Sequence, residues 1–259
     1  MKKATVILLA LVMAAMIATS AGAATVTISG PSQVQDAALR SDNPDTNMGQ
    51  NGDDKSWRLF PDTNTVDRHN LMRFDLSGLA GATINSATMG IYVRAQYSPA
   101  PVTGYQISRL QAGKSWVEGT NAWQEPAYAG DVTWNSQAHG STLWATAGAT
   151  GAADIDLATS ISWDCSSADG YLTFDLGTFV QDWVDGSWEN NGILFWGGSA
   201  GWIDAGAYFW GYSSESAQTG RVPYLTIDYT EAPVPEPSSL LAFAIFGVAG
   251  LGFMRRRRA

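Results

Sequence analysis

Ile84–Arg94 reads Ile-Asn-Ser-Ala-Thr-Met-Gly-Ile-Tyr-Val-Arg, the strictest two-residue alternation in the chain. Successive side chains of a strand point to opposite faces. Ala87, Met89, Ile91 and Val93 therefore form an apolar face, and Thr88, Gly90, Tyr92 and Arg94 a second one. Only a sheet with one buried face accommodates that pattern, so the rest of the chain must supply a partner layer. Asn70–Leu76 offers one, with Met72, Phe74 and Leu76 on one side and Leu71, Arg73 and Asp75 on the other. These two segments are expected at the centre of the core. Further short strands are expected at Thr25–Ser29, Ser56–Phe60, Gly104–Leu110, Leu172–Leu176, Gly192–Trp196, Ala207–Tyr212 and Pro223–Tyr229. Val34–Ser41 follows the first of them, and turns rich in Asn, Asp, Gly and Pro separate the segments. Residues 136–168, small and polar, are expected to form long loops around a short strand near Ile155–Leu157. Phe179, Val180 and Trp183 have helical spacing before Gly186 and predict one or two helical turns. Many short strands and almost no helix predict an all-β sandwich of mostly antiparallel strands, with the first strand beside the last. The absence of a 20–50-residue repeat argues against a solenoid or propeller.

The two ends read as processing signals rather than fold. Lys2 and Lys3 precede an apolar run, Val6–Ile17, and the small-x-small site Ala21-Gly22-Ala23, so residues 1–23 read as a signal peptide cleaved after Ala23. At the other end Pro235-Glu236-Pro237 precedes the apolar run Leu240–Met254 and the cluster Arg255–Arg258. As a helix that run reaches about 22 Å, against a hydrocarbon core of about 30 Å. It is a marginal anchor, and the arginines hold its far end in the cytoplasm. Residues 233–259 resemble the PEP-CTERM sorting signal of Gram-negative bacteria that make exopolysaccharide. The resemblance implies recognition by an exosortase and cleavage near Pro235–Pro237. It also implies transient inner-membrane anchoring, then a secreted product at the cell surface or in the extracellular matrix.

Between the signals lies one domain's worth of chain, residues 24–232. Over residues 24–237, 9 basic residues face 24 acidic ones. Such a surface repels nucleic acid, and repels acidic polysaccharide unless local arginines or a bridging divalent cation intervene. Cys165 is the single cysteine, which excludes an intrachain disulfide and a thiolate metal cluster. With His69 and His139 the only histidines, zinc and Ser-His chemistry are poorly provided for.

Seven landmarks then occur in order: Ser41-Asp42-Asn43-Pro44-Asp45-Thr46-Asn47 after Asp36, Leu71–Leu79, Ile84–Thr88, Trp116-Val117-Glu118-Gly119-Thr120, Val132–Asn135, Phe174–Leu176 with Val180–Gly186, and Tyr212-Ser213-Ser214-Glu215 before Pro223–Ile227. Together they resemble the DNRLRE domain, which is similar to a carbohydrate-binding module family that includes alginate binders. The resemblance implies a jelly-roll β-sandwich, often with a structural calcium, used as a non-catalytic surface or saccharide-binding module.

Three groups of residues are candidates for chemistry. Asp36, Asp42, Asn43, Asp45 and Asn47 crowd hard oxygens as calcium requires, and Asp62, Asn64 and Asp67 add more. The bland alternative is that such residues simply make turns. Trp188, Trp196, Trp202 and Trp210 lie in a glycine-rich region with Tyr208 and Tyr212 and offer flat faces on which sugar rings stack, with Trp202 the foremost. Trp116, Trp134 and Trp183 are assigned to packing. Arg73, Asp75, Glu118 and Asp175 would be either a glycosidase carboxylate pair or an Arg–carboxylate network fixing strand register, and the network is favoured. The expected function is non-enzymatic association with extracellular polysaccharide. A purely structural matrix component and a hydrolase or lyase are the alternatives.

Overall fold

The computed structural model describes residues 22–50, 56–59, 66–94, 102–122, 125–165, 169–200 and 209–232. Fifteen strands are formed among them: β1 (Ala23–Ser29), β2 (Val34–Arg40), β3 (Thr46–Asn47), β4 (Ser56–Leu59), β5 (Arg68–Phe74), β6 (Thr83–Val93), β7 (Val102–Arg109), β8 (Glu125–Pro126), β9 (Ser136–Ala138), β10 (Thr142–Leu143), β11 (Ile161–Cys165), β12 (Gly170–Asp175), β13 (Ile193–Ala200), β14 (Phe209–Tyr212) and β15 (Tyr224–Thr230). One sheet runs β1-β15-β6-β14-β4, with β12 also on β6; the other runs β11-β7-β13-β5-β2. Both are antiparallel, and β3–β8 and β9–β10 form two-stranded ribbons. The first strand does lie beside the last.

The alternation in β6 is realised. Ala87, Met89, Ile91 and Val93 are buried against Met72, Phe74, Tyr105, Ile107, Ile193 and Phe195 of the opposing sheet. β5 and β6 thus sit in facing layers of the main core. A second cluster covers the other side of the five-stranded sheet. There Ala37, Leu39, Leu71 and Leu194 pack beneath Trp116, Val132, Trp144, Ala149 and Ile155, with Trp134 and Trp196 partly buried beside them. One sheet is therefore buried on both faces. The covering layer is mostly loop, and its backbone polar groups find specific partners. Asp154 is wholly buried, meets Lys114 Nζ at 2.7 Å, and accepts the N–H groups of Ala145 and Thr146 at 2.9 and 2.7 Å.

The helix expected around Phe179 is α1 (Gly177–Val184), with Phe179, Val180 and Trp183 buried. The strand expected near Ile155–Leu157 is corrected. Ile155 makes only an isolated bridge with Leu110, and Asp156 accepts from the Ala158 N–H to start a short 3-10 turn, Leu157–Thr159. The strands of residues 136–168 are β9, β10 and β11, and Trp163 and Cys165 of β11 point into the main core.

Candidate metal centre and aromatic face

Asp36 sits on β2, the edge strand of the five-stranded sheet, and is 1% exposed. Its N–H donates to Glu118 Oε1 at 2.8 Å, and its Oδ2 accepts from the Ser214 N–H at 2.7 Å. Those bonds bring in Glu118 from the 116–120 loop and Glu215 from the turn after β14. The three carboxylates each place an oxygen within 4.8 Å of the others. The cluster therefore joins an edge of one sheet to the end of a strand of the other.

The neighbouring sequence holds Glu118 in place from both sides. The Trp116 indole N–H donates to the Asn191 carbonyl at 2.8 Å, and the Trp116 carbonyl accepts from Arg73 at 3.3 Å. Asn47 Nδ2 donates to the carbonyls of Glu118 and Val132 at 2.8 and 3.0 Å, while its Oδ1 accepts from Gly49 and Asn121. Gly119 has φ +81°, and a Cβ there would lie 2.3 Å from Asn47 Oδ1. The turn admits glycine for both reasons.

Three carboxylates this close repel one another. At an effective dielectric near 20 each charged pair costs about 3 kcal/mol. Burial, followed by the nearness of Asp36 and Glu215, pushes the Glu118 carboxyl up from its ordinary 4.5 to about 9. Arg73 supplies one nearby positive charge to Glu118, and a proton or a bound cation would relieve the remaining repulsion. Glu215 Oε2 is buried with no hydrogen-bond partner, an acceptor left over for such a charge. Oxygen donors without nitrogen or sulfur fit a hard divalent ion such as calcium.

Of the five residues expected around calcium, only Asp36 lies in this cluster. Asp42 pairs with Arg40, which holds its carboxyl below the ordinary value against the opposing effect of burial. The Asn43 carbonyl accepts from Thr46, and Asp45 Oδ1 accepts from Asn135 Nδ2 at 3.1 Å. Asn47 positions the Glu118 loop. Asp62 and Asn64 lie outside the described residues, and the Asp67 N–H donates to Ser41 Oγ at 2.8 Å. Of the expected Arg–carboxylate network, Arg73 and Glu118 attract each other, while Asp75 and Asp175 are engaged elsewhere. Arg73 bonds Gln35 and the Trp116 carbonyl, Asp75 accepts from the Ser77 N–H, and Asp175 accepts from the Gly177 N–H.

The stacking candidates are also dispersed. Trp202 and Tyr208 lie outside the described residues. Trp196 is half-buried on the loop-covered side of its sheet, its indole N–H on Ser108 Oγ at 2.9 Å. Trp210 is half-buried on the opposite side of the sandwich, since its neighbour Phe209 points into the core. Trp116 and Trp183 are buried and Trp134 packs against the second cluster, as expected.

Around Trp210 and Tyr212, both singled out from sequence, the outer face of the six-stranded sheet carries Tyr92, Tyr171 and Tyr224, which were not. Tyr171 pairs in register with Tyr92 across β12 and β6, their ring centroids 5.2 Å apart. Tyr171 meets Tyr224 at 5.1 Å, and Tyr92 meets Tyr212 at 5.9 Å. The Arg94 guanidinium lies 4.0 Å from the Trp210 ring centre and 5.5 Å from that of Tyr212. Arg221 lies 5.0 Å from Tyr92 and 5.8 Å from Tyr212. Gly90 makes the arrangement possible, because a Cβ there would lie 2.3 Å from Tyr224 Cε1. The ring of Tyr224 crosses β6 at that position to reach Tyr171.

The sequence profile of carbohydrate-binding module family 96 matches residues 27–229, the whole of this sandwich. The chain belongs to carbohydrate-binding module family 96. A second profile, the PEP-CTERM protein-sorting motif, matches residues 233–258 immediately after the module. Comparison with curated proteins gives no match. Among the described residues no helix is long and apolar enough to cross a membrane, and Leu240–Met254 lies outside them. A family 96 module followed by a sorting motif supports export to the cell envelope and carbohydrate binding there.

Proposed function

We propose that this family 96 chain is a secreted, non-enzymatic surface or matrix protein that associates with exopolysaccharide. It is exported by removal of residues 1–23 after Ala23. It is held briefly in the inner membrane of a Gram-negative cell by Leu240–Met254, then processed by an exosortase at Pro235-Glu236-Pro237. Calcium bound by Asp36, Glu118 and Glu215 would supply the positive charge that lets these buried carboxylates remain ionised, fixing the seam between the sheets. The observation that carries the reading is the match of a carbohydrate-binding module over the entire sandwich. The disposition of acids supports binding over turnover. Asp75 and Asp175 each accept a turn N–H, and Glu118 is tied into the cluster with Asp36.

The test is retention of the secreted protein on a polysaccharide panel, with calcium and with EDTA. Retention that weakens in EDTA is expected. No retention in either condition would leave a purely structural matrix role, and release of new reducing ends would overturn the non-enzymatic assignment.

A further inference from the structure

We infer that a cleft at one end of the five-stranded sheet, lined by Trp183 and Asn190, binds an N-acetylated sugar residue through its acetamido group. This rests on the carbohydrate-binding reading, which selects a sugar as the carrier of that group, and adds a site and a ligand chemistry. The cleft has a volume of about 580 Å³ and lies among the turn between β1 and β2, the turn after β5 and the end of α1. Ligand pockets run from about 300 to about 1,000 Å³, so a sugar residue with its substituent fits. The local sequence sets the walls. β5 ends at Phe74, and the Asp75 N–H donates to the Gln33 carbonyl at 2.8 Å, which ties the two turns together. Phe74, Leu76 and Val184 supply apolar lining.

The ligand chemistry follows from two spare atoms. Trp183 is 8% exposed, and its indole N–H is buried with no hydrogen-bond acceptor. The indoles of Trp116, Trp144, Trp188 and Trp196 each donate to a protein oxygen. Trp163 also has a spare N–H, but its ring is enclosed by Tyr105, Phe174 and Phe209 between the sheets. Asn190 Nδ2 donates to the Phe74 carbonyl at 2.9 Å, which fixes the amide, and its Oδ1 is buried without a donor. Buried polar groups left unpaired are costly, and a ligand that pairs them recovers that cost. The cleft thus offers one unused donor and one unused acceptor beside apolar surface. A secondary amide carrying a methyl group suits all three. Its carbonyl accepts from Trp183, its N–H donates to Asn190, and its methyl packs on Phe74, Leu76 and Val184. Binding turns both side chains slightly toward the cleft, since neither atom is exposed in the free protein. Asp75 and Ser77 line the same cleft, are exposed, and serve sugar hydroxyls. The Ser77 N–H holds the Asp75 carboxyl below its ordinary value, and the Arg73 charge is drawn to Glu118. The cleft therefore favours a neutral sugar over an acidic one.

The test uses the secreted protein and three probes. They are chitotriose, cellotriose, which has the same linkage without acetamido groups, and an N-acetylated tripeptide. Binding is read by calorimetry and by the indole N–H signals in two-dimensional NMR, with Trp183 assigned through Trp183→Phe. Chitotriose is expected to bind about tenfold more tightly than cellotriose and to move the Trp183 signal. Trp183→Phe keeps a ring, removes the N–H and should weaken chitotriose about tenfold. Ala80→Phe places a ring in the cleft from an exposed position, so the fold should survive and chitotriose binding should be lost. Where Trp183→Phe does not fold, Ala80→Phe decides. Equal binding of the two trimers would overturn acetamido recognition. Chitotriose binding untouched by Ala80→Phe would overturn the location. A tripeptide bound as tightly as chitotriose would overturn the choice of a sugar. If chitotriose does not bind while another polysaccharide is retained, this inference falls and the carbohydrate-binding reading survives. If no glycan is retained at all, both fall.

Discussion

Replacing Glu118 by glutamine should stabilise the calcium-free protein while abolishing its response to calcium. The Glu118 carboxyl ordinarily loses its proton near 4.5 and in the fold holds it up to about 9. The unfolded chain therefore releases this proton at lower pH than the folded one. Without a cation, stability is greatest below the unfolded value and falls as pH rises through this window, by at most about 1.4 kcal/mol per pH unit. Near pH 7.5 the full penalty would be about 4 kcal/mol, and screening at a carboxyl that is partly exposed reduces it to the order of 2 kcal/mol. Glutamine removes that penalty and keeps an oxygen to accept the Asp36 N–H. In EDTA near pH 7.5, Glu118→Gln should raise Tm by about 4–8 °C, as expected for 2 kcal/mol in a domain of this size. For the wild type, calcium takes the place of the proton, so its stabilising effect should grow as pH rises from about 5 to about 8. Differential scanning fluorimetry at several pH values, with calcium or EDTA, reads both. A variant that melts below the wild type in EDTA, or that gains as much from calcium, would refute the account of the cluster.

Gly119→Ala forces a side chain against Asn47 and should displace Glu118, costing about 2 kcal/mol or more and the calcium-dependent rise in Tm; thermal melts with and without calcium check it. Asp154→Asn leaves Lys114 facing a neutral amide and weakens two backbone bonds, so urea titration should show a loss of about 3 kcal/mol. Gly90→Ala should push Tyr224 away from Tyr171, at a cost of about 1 kcal/mol. Near-ultraviolet circular dichroism should lose tyrosine signal.

What was legible in the sequence depended on range. The alternation of Ala87–Val93 fixes two faces by geometry alone, and both appear as expected. The loop character of much of residues 136–168 was legible because small polar residues mark it, but β9, β10 and β11 within the stretch were not, nor was the roof over Leu71 and Leu194. That roof depends on Trp116 and Trp144 arriving from separate segments. The calcium expectation followed local crowding of Asx residues, and crowding selects turn-formers: Asp42 serves Arg40, and Asp45 serves Asn135. Glu118 and Glu215 join Asp36 only through the fold, so spacing carries no trace of their meeting. The available signal was that both stand inside the motifs that carried the family resemblance. The ring series was half visible. Tyr92 falls on the outward face by alternation, but its neighbours depend on the register of β12, β14 and β15, which no single strand encodes.

The last strand, β15, lies between β1 and β6, and the sorting motif begins four residues after Tyr229. A pull transmitted from a tether along β15 must slide it past two neighbours at once. Ladder hydrogen bonds run transverse to a strand, so such a load is shared among them in shear rather than broken one by one. A molecule held at that end would carry tension through a strand paired on both sides.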